Sequence, residues 1–417
     1  MPNKLIAGVE NYMDKKPPKD TATGGKRAKP FISNIILLGL TSLFMDMSSE
    51  MVYPLIPLYL AAFGATPLII GLIEGIAESL AALLRAFSGW WGDRTGHEKR
   101  LTVAGYSASV LYKLLLFFST GWGGVLFARI VDRAGKGIRT APRDALIAAS
   151  GGDKRLGQSF GLHKMMDMAG SAIGVALAFV IVWAGMSFQS AFMLSLIPAG
   201  LGLIAVCLVR KNKDVVRIKN KAERIKFRLN GRLIGYLAVI FVFNIGNSSN
   251  AFLLLKTSDM GFNEWQVVLV YLMFNVTSSL FAYPFGKLSD KIGRGKLLFP
   301  GYFLYGVVYI GFALATSSWM IPILFCVYGL YTALIGGAER AFLVEQSPLE
   351  YRGTVLGLHG MCQGLGLLIA SLLAGGLWGK WGSDMPFLVG GIIGFACAIA
   401  VGIISGLIKR RNAVTHS

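Results

Sequence analysis

Residues 89–96 read GWWGDRTG, and residues 286–293 read GKLSDKIG. Both stretches consist of a glycine, three residues, an aspartate, a basic residue, one further residue and a second glycine. The equivalent positions are Gly89 and Gly286, Asp93 and Asp290, Arg94 and Lys291, and Gly96 and Gly293. A repeat of about 200 residues indicates a duplicated helical unit, because the repeats of solenoid proteins are far shorter.

Two further pairs of stretches support the duplication. Residues 157–164 read GQSFGLHK and residues 353–360 read GTVLGLHG, which pairs His163 with His359. The SSE sequence at Ser48–Glu50 likewise matches SSN at Ser248–Asn250. The chain therefore consists of two related halves.

The hydropathy of the chain indicates a membrane protein. Its mean hydropathy is +0.58, and only 15% of its residues are charged, against about 25% in soluble proteins. Apolar runs of roughly 20 residues are long enough to cross a bilayer core of about 30 Å. Twelve such runs cover about 31–62, 66–88, 101–119, 121–149, 156–184, 187–209, 233–256, 264–286, 297–317, 319–345, 352–378 and 385–408. The sequence thus predicts an all-α polytopic membrane protein, with twelve transmembrane helices in two six-helix pseudo-symmetric bundles.

The positive charge of the chain lies on one side of the predicted membrane. The net charge is +19, and a nucleic-acid partner would be one explanation. However, basic residues follow the second, fourth and eighth spans, and residues 210–232 contain ten Lys or Arg. The alternate loops 62–66, 119–121 and 185–188 carry almost none. This asymmetry places both termini in the cytoplasm, and we expect no nucleic-acid partner.

The same pattern predicts the domain organisation. We expect a basic cytoplasmic tail at 1–30, without the apolar core of a signal peptide. A six-helix bundle at 31–209, a basic cytoplasmic linker at 210–232 and a second bundle at 233–408 follow. Residues 409–417 form a second cytoplasmic tail.

The duplicated loop resembles the signature loop of the major facilitator superfamily, at the turns after the second and eighth spans. The resemblance covers residues 31–408, although His97 stands where the family usually has a basic residue. The stretch 132–146, DRAGKGIRTAPRDAL, is similar to a prokaryotic subgroup of these permeases. The resemblance implies two bundles that rock around a midplane site.

The loop residues of both copies predict a conformational latch. A carboxylate at Asp93 or Asp290 can cap a neighbouring helix N-terminus and pair with basic residues. Such a contact would form in one conformation and break in the other. The alternative is a plain topogenic turn whose charges are solvated.

The fourth span is unusually rich in charge. Seven ionisable residues lie within 128–146: Arg129, Asp132, Arg133, Lys136, Arg139, Arg143 and Asp144. At roughly 100° per residue they share an arc of about 140° on a helix. Charges at bilayer depth cost several kcal/mol unless they face a cavity and find partners. We expect this face to line a central cavity, or, for Arg139–Asp144, to reach the cytoplasmic headgroups.

Other spans supply polar groups that could face these charges. The proton-coupling candidates are Asp46, Glu50 and Arg129. The substrate-cavity candidates are Glu74, Glu78, Asp132, Arg133, Lys136, Arg139, Asn247 and Asn250. The resemblance implies that Arg129 pairs with an acid on the first helix, here Asp46. The alternative is a set of structural ion pairs that hold the bundle together.

We therefore expect a secondary active transporter in a prokaryotic inner membrane, monomeric and coupled to protons. The surplus of Arg and Lys on the fourth span favours an anionic or zwitterionic small molecule. One alternative is efflux of amphipathic cations, although Val175 replaces the proline of the antiporter signature. Another is a membrane receptor or sensor. We expect neither an enzyme nor a cofactor or metal site, because no nucleotide motif or metal-ligand cluster occurs.

Overall fold

The computed structural model describes residues 30–95, 97–151, 156–210, 231–347 and 352–414. Within these ranges the chain forms fifteen α-helices, one 3-10 turn and no strand. The first half contains α1 (Pro30–Val52), α2 (Ile56–Ala62), α3 (Pro67–Thr95), α4 (Glu98–Phe117), α5 (Trp122–Gly151), α6 (Leu156–Trp183), α7 (Phe188–Leu194) and α8 (Leu196–Leu208). The second half contains α9 (Gly231–Gly246), α10 (Asn250–Asp259), α11 (Glu264–Ile292), α12 (Arg294–Ala313), α13 (Met320–Glu345), α14 (Arg352–Trp381) and α15 (Met385–Val414).

All twelve predicted spans are helical. Ten helical segments within the described residues are long and apolar enough to cross a membrane. The other two spans are α4 and α5, which are more polar because α4 carries Lys113 and α5 carries the seven ionisable residues. Most of the predicted tails and linker, at 1–29, 211–230 and 415–417, lies outside the described residues.

Three spans that the sequence predicts as continuous are broken in the structure. The first is interrupted by the 3-10 turn Tyr53–Leu55, which contains Pro54, because proline lacks the N–H that a helix requires. The sixth is broken at Ser195 and the seventh at 247–249. The Ser249 side chain then caps α10 by accepting from the backbone N–H of Ala251.

Side-chain hydroxyls satisfy carbonyl groups at two of these breaks. Ser48 donates to the carbonyl oxygen of Ser195 at 2.7 Å, and Tyr305 donates to that of Gly246 at 2.8 Å. Within a bilayer an unsatisfied backbone group costs several kcal/mol, since water is absent. These two hydroxyls therefore stabilise the broken helices at membrane depth.

The two bundles meet along α3 and α14, and also along α6 and α11. Glycines allow α3 and α14 to approach closely. A Cβ on Gly71 would overlap the carbonyl oxygen of Ser371, and one on Gly375 would lie 2.6 Å from the Cα of Leu68. Gly376 by contrast has no heavy atom within 4 Å of such a Cβ. The backbones are therefore in direct contact here.

The contacts between the bundles lie toward the end of the molecule that is opposite the chain termini. Tyr53 packs on Tyr271 with ring centroids 5.8 Å apart, and Phe179 on Trp265 at 6.3 Å. Farther along α11, toward the termini, Tyr283 is 78% exposed. The end that holds loop 63–66 is thus the closed one.

The close contact at Gly375 leads to a prediction about stability. Gly375→Ala should lower the melting temperature of the purified protein, because a methyl group there meets backbone that cannot yield. Overpacking of this kind costs roughly 1–3 kcal/mol. Thermal unfolding in detergent measures the effect.

The adjacent Gly376→Ala is the matched control, and we expect it to leave the melting temperature unchanged. Equal melting temperatures for the two variants would contradict the close approach of α3 and α14.

Candidate functional site

A cavity of about 210 Å³ lies between the bundles. Nine of the predicted site residues line it: Asp46, Glu50, Glu78, Arg129, Asp132, Arg133, Lys136, Arg139 and Asn250. Ser49, Tyr53, Tyr112 and Tyr271 also line it and were not predicted. Of these lining residues, Asn250 and Tyr271 belong to the second half, so the eight charged ones all come from the first bundle.

The most buried ion pair joins α5 to α3. Arg129 Nη2 lies 2.5 Å from Glu74 Oε1, and both side chains are only 2% exposed. The other Glu74 oxygen accepts from the hydroxyl of Ser249, in the second bundle, at 3.3 Å. The Arg129 guanidinium also lies over the ring of Tyr53, 5.6 Å from its centroid. The expected partner of Arg129 was Asp46, so the structure assigns a different acid, on the second span.

A second pair lies one turn farther along the same two helices. Arg133 is 2.9 Å from Glu78. Asp132 lies between the two arginines, 3.9 Å from Arg129 and 3.8 Å from Arg133, and accepts from Ser109 of α4 at 3.0 Å. Each guanidinium is thereby neutralised within the membrane, where an isolated charge is costly.

Arg139 lies inside the bundle rather than at the membrane surface. It is buried, donates to Ser109 at 2.5 Å, and lies over the ring of Tyr106 with 4.6 Å to its centroid. Arg143 pairs with Asp144 at 2.9 Å, and the Asp144 side chain is 43% exposed. The headgroup interpretation is therefore wrong for Arg139.

Two lysines of this region lack a carboxylate partner. Among the described residues, neither Lys113 nor Lys136 has a carboxylate oxygen within 4.0 Å. Lys113 is fully buried and donates to Ser49 at 3.4 Å. Lys136 is partly exposed and faces the cavity. Lys136 is thus a cation that a ligand in the cavity could reach.

The acids of α1 have partners on other helices. Asp46 and Asp167, on α6, interact electrostatically, and one turn earlier on the same two helices Ser42 lies 2.6 Å from His163. Asp167 also accepts from Lys164 at 2.7 Å. Glu50 accepts from the hydroxyl of Tyr271 at 3.4 Å, which is a second polar contact between the bundles. Sequence reasoning missed Asp167 as a partner, since periodicity does not show which helices are neighbours.

A second cavity, of about 180 Å³, lies among α9, α13 and α14 of the second bundle. Asn247, which we expected in the central cavity, lines this one instead, with Asn244 and Gln363. Its buried pair is Glu339 and His359, 3.1 Å apart. The difference arises because Asn247 lies in the break after α9, where helical periodicity no longer applies. No group of metal-binding side chains is found within the described residues.

The structure describes the predicted latch only in part. Gly89 lies in α3 and Gly286 in α11, while Gly293 follows α11 with a φ of 95°. Lys291 is exposed. Gly96 and the side chains of Asp93, Arg94 and Asp290 lie outside the described residues. The latch therefore stays a prediction.

Comparison with known proteins identifies the family to which this chain belongs. The family model of the Major Facilitator Superfamily matches residues 38–278 and 234–416. An MFS-type transporter of Methanocaldococcus jannaschii is 35% identical over 390 residues, which cover 90% of this chain and 94% of the relative. A Lactococcus lactis multi-drug resistance efflux pump PmrA homolog is 23% identical over 366 residues, 83% of this chain and 88% of the relative.

The fold is similar to that of solved transporters. A POT family transporter, crystallised with 5-aminolevulinic acid, superposes with a TM-score of 0.77 at 14% identity, over 90% of this chain and 96% of that one. This likeness agrees with the two bundles described above. The chain therefore belongs to the Major Facilitator Superfamily and is a membrane transport protein rather than an enzyme.

Proposed function

We propose that this protein is a proton-coupled secondary transporter of a small anionic or zwitterionic molecule, working by alternating access. It acts as a monomer in a prokaryotic inner membrane, with both termini in the cytoplasm. The single observation that carries the substrate class is Lys136, a cavity cation that has no carboxylate within 4.0 Å among the described residues.

Two of the neighbouring arginines already have carboxylate partners, and the third, Arg139, is buried and donates to Ser109. Arg129 and Arg133 are already neutralised by Glu74 and Glu78. A carboxylate or phosphate of the substrate would provide the missing countercharge for Lys136, and hydrogen bonds between ions are the strongest of those available. The ligand would also reach Asn250 and Tyr271, in the other bundle. Contact with both bundles would link binding to their relative motion.

The contacts between the bundles support the alternating-access part of the proposal. They close the end opposite the termini, and with the termini in the cytoplasm the protein is closed to the outside. Opening outward would break the contacts of Ser249 with Glu74 and of Tyr271 with Glu50. The duplicated loops would then latch the opposite end.

Efflux of an amphipathic cation is the second candidate. The L. lactis relative is named as a multi-drug resistance efflux pump. In addition, the tyrosines at 53, 112 and 271 line the cavity beside Glu50, and aromatic faces attract cations. Glu74 and Glu78 are less suited to recognise a cation, since each is paired with an arginine. This leaves Asp46 and Glu50 as its recognition groups.

Substitution of Lys136 separates these two candidates. A thermal-shift screen of anionic and cationic metabolites first identifies a ligand, because a compound that binds only the folded form stabilises it. Lys136→Gln should then weaken binding of an anionic ligand by roughly 10- to 150-fold, the equivalent of about 1.5–3 kcal/mol for a charged hydrogen bond. Isothermal titration calorimetry measures the change.

Lys296→Gln is the matched control, since Lys296 is exposed at the start of α12, and it should leave the affinity unchanged. A screen in which only cations stabilise the protein, or unchanged anion affinity in Lys136→Gln, would favour the efflux candidate.

Cysteine labelling tests the proposed orientation. In a variant without Cys207, Cys326, Cys362 and Cys397, single cysteines at Lys219 and Arg411 should react in whole cells only with membrane-permeant reagents. This is because the positive-inside rule places them in the cytoplasm.

A single cysteine at Met186, in the loop after α6, should react with an impermeant reagent and serves as the positive control. Labelling of Lys219→Cys or Arg411→Cys by that impermeant reagent from outside would overturn the orientation.

Asp93→Asn tests the latch. It should slow transport severely while substrate affinity changes by only a few fold, because the lost contact stabilises a conformation and touches no ligand. The measurement is uptake into proteoliposomes together with equilibrium binding.

Asp290→Asn, at the equivalent position of the second half, should behave in the same way. Glu345→Gln alters an exposed acid at the end of α13 and should transport normally. A large loss of affinity with a normal transport rate in Asp93→Asn would show that the loop is not a latch.

A further inference from the structure

We propose that Asp46 of α1 and Asp167 of α6 share one proton and form the proton-carrying site of the transport cycle. This inference rests on the proposed coupling to protons and names the site that performs it. The sequence-based candidates on α1 included Asp46, but Asp167 was not among the proton-coupling residues.

The backbones of α1 and α6 hold the two carboxyl groups together. A Cβ on Gly170 would overlap the carbonyl oxygen of Leu43, and one on Gly174 would overlap that of Met47. Only glycine permits such contact at these positions, and Asp46 lies between Leu43 and Met47 along α1. In the same pair of parallel helices, Ser42 of α1 lies 2.6 Å from His163 of α6. Asp46 follows Ser42 by four residues and Asp167 follows His163 by four, so the two carboxyl groups lie on the facing sides of the helices, one turn farther along.

A hydrogen bond between the two carboxyl groups requires a proton. An ionised carboxylate can only accept hydrogen bonds, so one of two bonded carboxyl groups must carry the hydrogen. Repulsion between neighbouring carboxylates also disfavours the state in which both are ionised, as the paired aspartates of aspartic proteases illustrate. The pair therefore binds one proton at rest, and a second proton would make both groups neutral.

Charged groups on α5 and α6 face the pair. Lys164 contacts Asp167 at 2.7 Å, and Arg143 of α5 interacts electrostatically with both acids. Lys136 of α5 and Lys113 of α4 interact with Asp46, and Glu50 of α1 interacts with Asp167. One turn toward the start of α1 and α6, His163 is 2.6 Å from the hydroxyl of Ser42. The negative charge left on the pair is therefore balanced by cations, of which Lys136 also faces the cavity.

Lys136 would couple this proton to the substrate. An anion bound to Lys136 neutralises its charge, which leaves the ionised carboxylate of the pair without that partner and favours uptake of a second proton onto it. By thermodynamic linkage, binding of the second proton increases the affinity for the anion by the same factor. Substrate and proton would then bind and leave together, as symport requires.

The equivalent positions of the second half do not carry such a pair. Asp167 follows His163 by four residues, and Gln363 follows His359 by four. Glu50 likewise corresponds to Asn250. An amide side chain can still form hydrogen bonds, but it does not take up or release a proton. The paired carboxyl groups are thus a feature of the first bundle, whereas the buried titratable pair described in the second is Glu339 with His359.

Infrared spectroscopy of the purified protein in lipid vesicles tests the pair without any substrate. The wild-type protein should show the C=O stretch of a buried protonated carboxyl group. Asp46→Asn and Asp167→Asn should each remove or shift this band. Asp144→Asn, the matched control on α5, should retain it. A band that is unchanged in either of the first two variants would overturn the proposal.

An isotope experiment needs no variant and so does not depend on how the variants fold. Incorporation of ¹³C-labelled aspartate into the wild-type chain should lower the frequency of the band. A band that shifts only with labelled glutamate would overturn the proposal, because it would place the proton on Glu50, Glu74 or another glutamate.

These results are independent of the substrate assignment. Normal anion binding without an aspartate band would contradict the proton pair but not the transporter proposal. An aspartate band without anion binding would support the pair and contradict the proposal of an anionic substrate. In transport assays, Asp167→Asn should abolish proton-driven accumulation yet preserve exchange of labelled for unlabelled ligand, the compound identified by the screen.

Discussion

The structure depends on the pairing of the arginines of α5 with the carboxylates of α3. A helix with seven ionisable residues is stable in a membrane only if its charges are neutralised and shielded from lipid. Glu74 and Glu78 are four residues apart, as are Arg129 and Arg133, so one face of α3 matches one face of α5. Removing one partner of such a pair leaves a buried, uncompensated charge, which is far more costly than removing both.

The interiors of the two bundles are held together by different kinds of side-chain contact. In the first, ion pairs join α3 to α5. In the second, tyrosine rings in contact with one another occupy the interior: the ring centroids of Tyr305 and Tyr309 are 4.1 Å apart, and those of Tyr328 and Tyr331 are 5.5 Å apart. Aromatic contacts need no countercharge. The cavity between the bundles therefore takes its charge from the first bundle.

Much of the fold could be predicted from the sequence, because bilayer thickness fixes the length of a span and a 3.6-residue period fixes its polar face. The apolar runs predicted the helices, and the charged arc of α5 predicted five of the thirteen residues that line the cavity. The breaks at Ser195 and at 247–249 could not be found in this way, since both lie inside apolar runs. Their carbonyls are satisfied by Ser48 and Tyr305, which are distant in sequence.

The partners of the charged residues were harder to predict than the residues themselves. Periodicity places Asp46, Glu74 and Arg129 on polar faces, but it does not show which helix lies opposite. Arg129 was expected to meet α1 and instead meets α3. Asp167 was not predicted as a partner of Asp46, because the two residues lie on helices more than 100 residues apart in the chain.

The position of Glu74 has a consequence for energy conservation in the cell. One of its oxygens is held by Arg129 and the other by Ser249 of the opposite bundle. Separation of the bundles at that end deprives a buried carboxylate of a donor, and such a loss is costly in a dry environment. In the proposed orientation, the acid that pairs with Arg129 would therefore also keep an empty carrier closed to the outside medium, which would limit the leak of ions while no cargo is present.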